Sequence, residues 1–276
     1  MAEKIALLLS GLPRLWRKCL PTQLAMFTNH RVDVFCYFWD TIDAAEKADL
    51  LGLLKPKDWR FAAPPDFSAE DVNPLYTRDR INIPSRMCSQ YASWRGVADL
   101  FAPHAQNYRL AVRSRSDLQF IARLDDAAAV LGVHDLLLPW WDVGQLYSDL
   151  FAVGGAQVIL HYHRLLDGLP EYAKTNIFNP EVLLMHHLAQ YAGLRVGNGG
   201  RDRFFVRRPH MDNYTIEQAM RENPGFNKWL DPETVAYHKE GFARRYGEAG
   251  LAFVDQFRDE QMQYADQMVW MPTKKG

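Results

Sequence analysis

Two arginines and an aspartate alternate in Arg113-Ser-Arg-Ser-Asp117, directly after the apolar, strand-like run Tyr108–Val112. A guanidinium fork matches phosphate oxygens bidentately, and a carboxylate can hold a hard cation, so this trio suits a diphosphate, bare or metal-bound. The same residues could also form a surface ion-pair cluster. Polar groups follow other apolar runs as well. Ser10, Gly11, Pro13 and Arg14 end the first, Asp40-Thr41 the second, and Trp141-Asp142 a later one. Turn chemistry alone explains any one set. Four sets together point to one edge of one sheet, because open α/β sheets bind ligands outside the carboxyl ends of their strands.

The elements that must position these residues follow from hydrophobic pattern. Lys4–Ser10 is a continuous apolar run, as expected of a strand buried on both faces. Gly11 and Pro13 break it, and Arg14–Phe27 can form a helix. Val32–Trp39 predicts a second strand, Asp43–Leu54 a helix and Trp59–Phe61 a short third strand. Alternating strand and helix from the first residues is the pattern of an α/β nucleotide-binding half. Residues 62–84, rich in Pro, Asp and Asn, predict a long loop, and loops of that length are usually functional. Ser85–Phe101 then reads as an amphipathic helix with Met87, Tyr91, Trp94, Ala98 and Phe101 on one stripe and Gln90 and Ser93 beside it. Asp135–Pro139 predicts a strand, and Ser148–Gly155 a strand running into a Gly-Gly turn. Helices are predicted over Ala156–Leu166 and Pro180–Ala192, the latter with Pro at its start and Gly193 past its end. Phe204–Arg207 is a last strand candidate.

A chain of 276 residues allows one large domain or two small ones, and no linker or repeat divides it. Residues 1–210 are read as one α/β domain. Residues 211–276 turn polar and helical, and Trp229, Phe242, Tyr246, Leu251, Phe253 and Phe257 would anchor them as an extension packed on that domain. Lys228, Lys239, Arg244, Arg245 and Arg258 are interleaved there and offer a face to anionic lipid. Glu233, Glu240, Glu248 and Asp255 dilute that charge, which favours an ordinary solvated face. A formal net charge of -1 gives no whole-chain case for nucleic acid.

Cys19, Cys36 and Cys88 are odd in number with no CxxC pair, so neither a disulfide framework nor a thiolate zinc site is supported. Reduced, buried thiols are the expectation. The apolar run Ile5–Leu9 is too short for a signal peptide or a membrane span, which predicts a cytoplasmic protein whose substrate can still be membrane-bound. P-loop, GxGxxG, GxSxG and HExxH motifs are absent. His161 and His163 are two apart and His186 and His187 adjacent, spacings that diverge on a helix. Structural roles are expected for them.

Several segments, taken in order, resemble one family. Ile5-Ala-Leu-Leu-Leu-Ser-Gly-Leu-Pro-Arg14, then Val32-Asp-Val-Phe with Trp39-Asp40, is similar to the opening of the WavE-like bacterial and viral polysaccharide glycosyltransferases. Arg113-Ser-Arg-Ser-Asp117 resembles their Arg-x-Arg-x-Asp donor segment, and Asp149-Leu-Phe-Ala-Val-Gly154 their Asp-x-Phe-Ala-x-Gly motif. Asn179-Pro-Glu-Val-Leu-Leu184 with His187-Leu188 resembles a later helix. The matches span residues 4 to about 190, and the last stretch matches nothing in that family.

The resemblance implies a GT-A type, Rossmann-like fold, a nucleotide-sugar donor, and a glycan or lipid-linked glycan acceptor on a surface polysaccharide or lipopolysaccharide. On that reading Ser10, Gly11, Pro13, Arg14, Asp40, Gln90, Tyr91, Arg113, Arg115 and Asp117 contact the donor, with Gly11 allowing close backbone approach. Trp141 offers a face to the acceptor sugar, and Asp142 or Asp149 serves as base. Asp117 would be the ligand of a Mg²⁺ or Mn²⁺ ion. Here the sequence departs from the pattern, because Arg115 stands where Asp-x-Asp has its first acid. Two rival readings are a non-catalytic nucleotide- or glycan-binding module and a sugar nucleotidyltransferase.

Overall fold

Alternate residues of the opening run face opposite ways, and both faces are covered. In the computed structural model, which describes residues 3–76, 83–141, 146–175, 178–198 and 204–206, strand β1 (Lys4–Gly11) is buried from Ile5 to Ser10. Ile5, Leu7 and Leu9 join one core cluster, and Ala6 and Leu8 the other. Such two-sided burial is what a parallel sheet requires of its central strand.

The chain then alternates through α1 (Trp16–Leu24), β2 (Arg31–Trp39), α2 (Ala44–Leu54) and β3 (Asp58–Ala62). Helix α3 (Pro84–Phe101) carries it back over the sheet to β4 (Leu110–Ser114), followed by β5 (Leu118–Phe120) and α4 (Asp125–Val130). Next come β6 (Asp135–Leu138), the short pair β7 (Trp140–Trp141) and β8 (Leu146–Tyr147), and β9 (Ala152–Gly155). Helices α5 (Ala156–Tyr162), α6 (Leu165–Thr175) and α7 (Pro180–Leu188) precede β10 (Arg195–Asn198) and β11 (Phe204–Val206).

The central sheet has seven strands in the order β10-β6-β9-β4-β1-β2-β3. Only β9 runs antiparallel to its neighbours, β4 and β6. The fold is therefore α/β with a mostly parallel seven-stranded sheet. One core cluster gathers residues of α3, α5, α6 and α7, and the other residues of α1, α2 and α4. Two glycines make the β9 passage possible: a Cβ on Gly155 would lie 1.9 Å from the Val133 carbonyl oxygen, and one on Gly154 2.3 Å from that of Asp135.

The expected loop 62–84 contains a short 3-10 turn, Ser68–Val72, pinned where Asp71 accepts from the Ser85 backbone N–H and hydroxyl. The expected helix Ala156–Leu166 is broken at His163-Arg164. There the His163 ring bonds the Ile159 carbonyl at 2.7 Å, and the Arg164 N–H turns to the His161 carbonyl at 2.8 Å, a tighter i→i−3 closure that ends α5. The expected strand Ser148–Gly155 is regular only from Ala152. The residues expected to form a C-terminal helical extension, 211–276, and the base candidate Asp142 lie outside the described residues. No helix among the described residues is long and apolar enough to cross a membrane.

Candidate functional site

Because β1 leads to β2 on one side while β4 lies on the other, the chain reverses its direction of travel across the sheet between β1 and β4. Outside the carboxyl ends of these two strands lies a cavity of about 680 Å³. Its wall is built from the β1–α1 turn, the end of β2, the loop after β3, one face of α3, and the end of β4.

The β1–α1 turn needs unusual backbone. Gly11 has φ +100°, and Leu15 has φ +55°, a left-handed conformation uncommon outside glycine. Such strain collects at functional turns. Ser116 ties this turn to the β4–β5 turn: its hydroxyl donates to the Leu12 carbonyl at 2.7 Å and accepts from the Arg14 N–H at 3.2 Å. Buried Gln23 steadies the same turn from below, its side-chain amide donating to the Arg115 and Leu118 carbonyls at 2.6 and 2.7 Å.

On this support Arg115 clasps Asp117 with both arms, Nε to Oδ1 at 2.9 Å and Nη2 to Oδ2 at 2.8 Å. Arg14 adds its Nε 3.3 Å from Oδ2. Burial pulls the Arg115 guanidinium down, but the Asp117 carboxylate outweighs it and raises its pKa. Arg113 is placed differently. It is 1% exposed, stacks its guanidinium 4.8 Å over the Trp94 ring, and donates Nη1 to the Leu150 carbonyl. Its Nε has no hydrogen-bond partner among the described residues. Burial draws its pKa downward.

Ser10, Gly11, Arg14, Gln90, Arg113, Arg115 and Asp117 all line the cavity. Three other predicted donor residues do not. Pro13 is buried under the turn. Asp40 emerges at the end of β2 but turns outward to pair with Lys47. Tyr91 is fully buried in the core beneath the cavity, its ring 4.9 Å from Trp94. The apolar stripe of α3 dictates that burial. Asp149 is buried just behind the wall, where its Oδ2 accepts from the side-chain amide of Gln90. Trp141 lies in β7 with its backbone paired to Leu146.

Sequence reasoning passed over several wall residues. Ser85, Ser89 and Ser93 recur every four residues along α3 and line the cavity, with the Ser85 hydroxyl donating to Asp71 and the Ser93 hydroxyl to the Gln90 carbonyl. That spacing is a readable polar stripe beside the apolar one. Trp39, Pro64, Pro65 and Phe67 form the apolar wall on the β2–β3 side. Proximity of the loop after β3 to the end of β1 carries no local signal.

The residues present do not suit a divalent metal. Both oxygens of Asp117 are engaged by guanidinium groups. No group of three or more His, Cys, Asp or Glu side chains is arranged to hold a metal ion among the described residues. His161 and His187 serve packing. They stack with centroids 4.1 Å apart, each ring Nε2 bonded to the other's backbone carbonyl, and the Tyr172 hydroxyl meets His187 Nδ1 at 3.0 Å. The three cysteines are free and buried, and burial pushes the Cys36 and Cys88 thiols up to about 12. Compared with known proteins, the chain matches no family model and no curated protein.

Proposed function

We propose that this protein is a glycosyltransferase of GT-A type that moves a sugar from a nucleotide-sugar donor to a hydroxyl of a surface polysaccharide or lipopolysaccharide acceptor. The observation that carries the proposal is the two-sided character of the cavity at the β1–β4 switch point. Trp39, Pro64, Pro65 and Phe67 make its β2–β3 side apolar, while Arg14, Arg113 and Arg115 make its β4 side cationic. A nucleoside fits the first and a diphosphate the second, with the serine face of α3 available to ribose and sugar hydroxyls. Ligands of this kind bind at such crevices in open α/β sheets.

In the reaction, the arginines stabilise charge on the departing diphosphate, and fixed guanidinium groups in a partly buried site do so with little reorganisation. The acceptor hydroxyl needs a base. Asp149 is the candidate: it lies behind the cavity wall and is linked to it through Gln90, whose side-chain amide donates to its Oδ2. Asp149→Asn is expected to lower turnover about a hundredfold. Unchanged turnover removes the base role.

The deciding experiment incubates the protein with UDP-, GDP- and CMP-linked sugars in water and follows the released nucleotide. Slow release of the nucleoside diphosphate, or of CMP from its sugars, supports a transferase. Binding without release assigns a non-catalytic module, and release of pyrophosphate on incubation with sugar 1-phosphate and nucleoside triphosphate assigns a nucleotidyltransferase.

A further inference from the structure

The cavity wall holds Arg14, Arg86, Arg113 and Arg115 against Asp66 and Asp117. Among the described residues, these four guanidinium groups and two carboxylates leave two net positive charges, the complement of a diphosphate esterified at both ends. A divalent cation would double that excess. It would also have to approach Asp117 past two guanidinium groups, at 2.8 to 3.3 Å from the carboxylate.

Donor capacity remains on the same arginines. A guanidinium carries five N–H donors. The fork to Asp117 engages Nε and Nη2 of Arg115, and the ion pair engages Nε of Arg14. Arg113 is more telling. A cation 1% exposed, with one carbonyl partner and an unpartnered Nε, is costly to bury unless an anion completes it. It lines this cavity.

We infer that Arg14, Arg113 and Arg115 hold the donor diphosphate without a divalent cation, and that Asp117 is a positioning residue that presets the guanidinium groups rather than a metal ligand. The inference rests on the nucleotide-sugar reading above. Asp117 orients the Arg115 plane and draws in Arg14, and the N–H groups left over reach the phosphate oxygens. Arg113 meets the same anion from the floor.

Calorimetric titration of UDP, GDP, ADP, CDP and dTDP into the full chain, in EDTA and again in MnCl₂, tests this. The diphosphate that binds should do so at least as tightly in EDTA as in Mn²⁺. Arg115→Lys, which keeps the charge and loses the fork, should weaken it about tenfold in both buffers. Asp117→Asn should weaken it by one common factor in both. Arg14→Ala, at an exposed position, should lose a few-fold in both, with circular dichroism confirming the fold of each variant. Binding that requires Mn²⁺, or a manganese-dependent component erased by Asp117→Asn, overturns the inference and leaves the nucleotide site standing. No binding in either buffer by folded protein overturns the donor reading itself.

Discussion

Strand β4 has an arginine at each end, and the two are treated in opposite ways. Arg109, just before the strand, directs Nε and Nη2 to Glu3, and Nη1 and Nη2 to the carbonyls of Leu131 and Ala128. Arg113, near the other end, is far more buried yet among the described residues donates to a single carbonyl. Selection for stability alone would produce the reverse, since buried polar groups are normally satisfied. The amino edge of the sheet repeats the saturated pattern at Asp125, which accepts from the Thr28 and Asn29 N–H groups and the Thr28 hydroxyl. On the proposed reading, saturated Arg109 holds the fold together, and undersupplied Arg113 at the carboxyl edge is held ready for a ligand.

The sharpest way to break this comparison is Arg115→Met. It should weaken binding of the preferred nucleoside diphosphate about a hundredfold by calorimetry, the scale of lost charge-assisted hydrogen bonds. Arg109→Met should do the opposite, costing about 2 kcal/mol in urea unfolding while leaving nucleotide affinity intact. The bond from Arg109 lowers the Glu3 pKa. A depressed carboxyl contributes stability above its unfolded value that is lost as pH falls through the folded one. Acid destabilisation below about pH 4.3 should therefore be shallower in Arg109→Met. If both arginine variants moved affinity alike, the two edges would not differ in role.

The His161–His187 stack extends the saturated class away from the sheet. Burial pushes His187 down to about 3. Its neutral form is thus favoured by folding, so its contribution is complete above the unfolded value of about 6.5 and declines as pH falls toward the folded one. His187→Gln should cost about 1 kcal/mol at neutral pH and flatten stability between pH 6 and 4, with nucleotide affinity unchanged. Smallest of all is Asp40→Asn. Asp40 is exposed and pairs with Lys47 of α2 at the surface, so a change under about 0.5 kcal/mol and affinity within twofold are expected.

What could be read from the sequence divides along the same physical line. Continuous apolar runs announced β1, β2 and β4, because two-sided burial writes itself into consecutive residues. The polar groups at the ends of β1 and β4 came with them, and the sheet order places those ends together. Strand β5 escaped notice: three residues whose pairing with β11 lies across the chain leave no local period. Strand β10, four residues long, escaped notice as well. The placement of Asp40, Tyr91 and Asp149 depended on rotations of side chains about strand and helix ends. Asp40 found Lys47 instead of the cavity, and Asp149 found Gln90, contacts that no spacing along the chain announces.

The reversed strand β9 has a consequence for how this protein can change. The chain leaves the sheet at Leu138 and re-enters at Ala152 on the same edge, since β6 and β9 are antiparallel neighbours. That excursion delivers Leu150 to Arg113 and Asp149 to Gln90 without crossing the molecule. An excursion that starts and finishes at one place can grow cheaply, each doubling of a flexible loop costing only about 0.6 kcal/mol. Insertions there would alter the support behind Arg113 and Gln90 while the β1–β4 switch point, set by parallel pairing of neighbouring strands, kept its shape. The fold is thus divided into a conservative half and an improvisable one by the direction of a single strand.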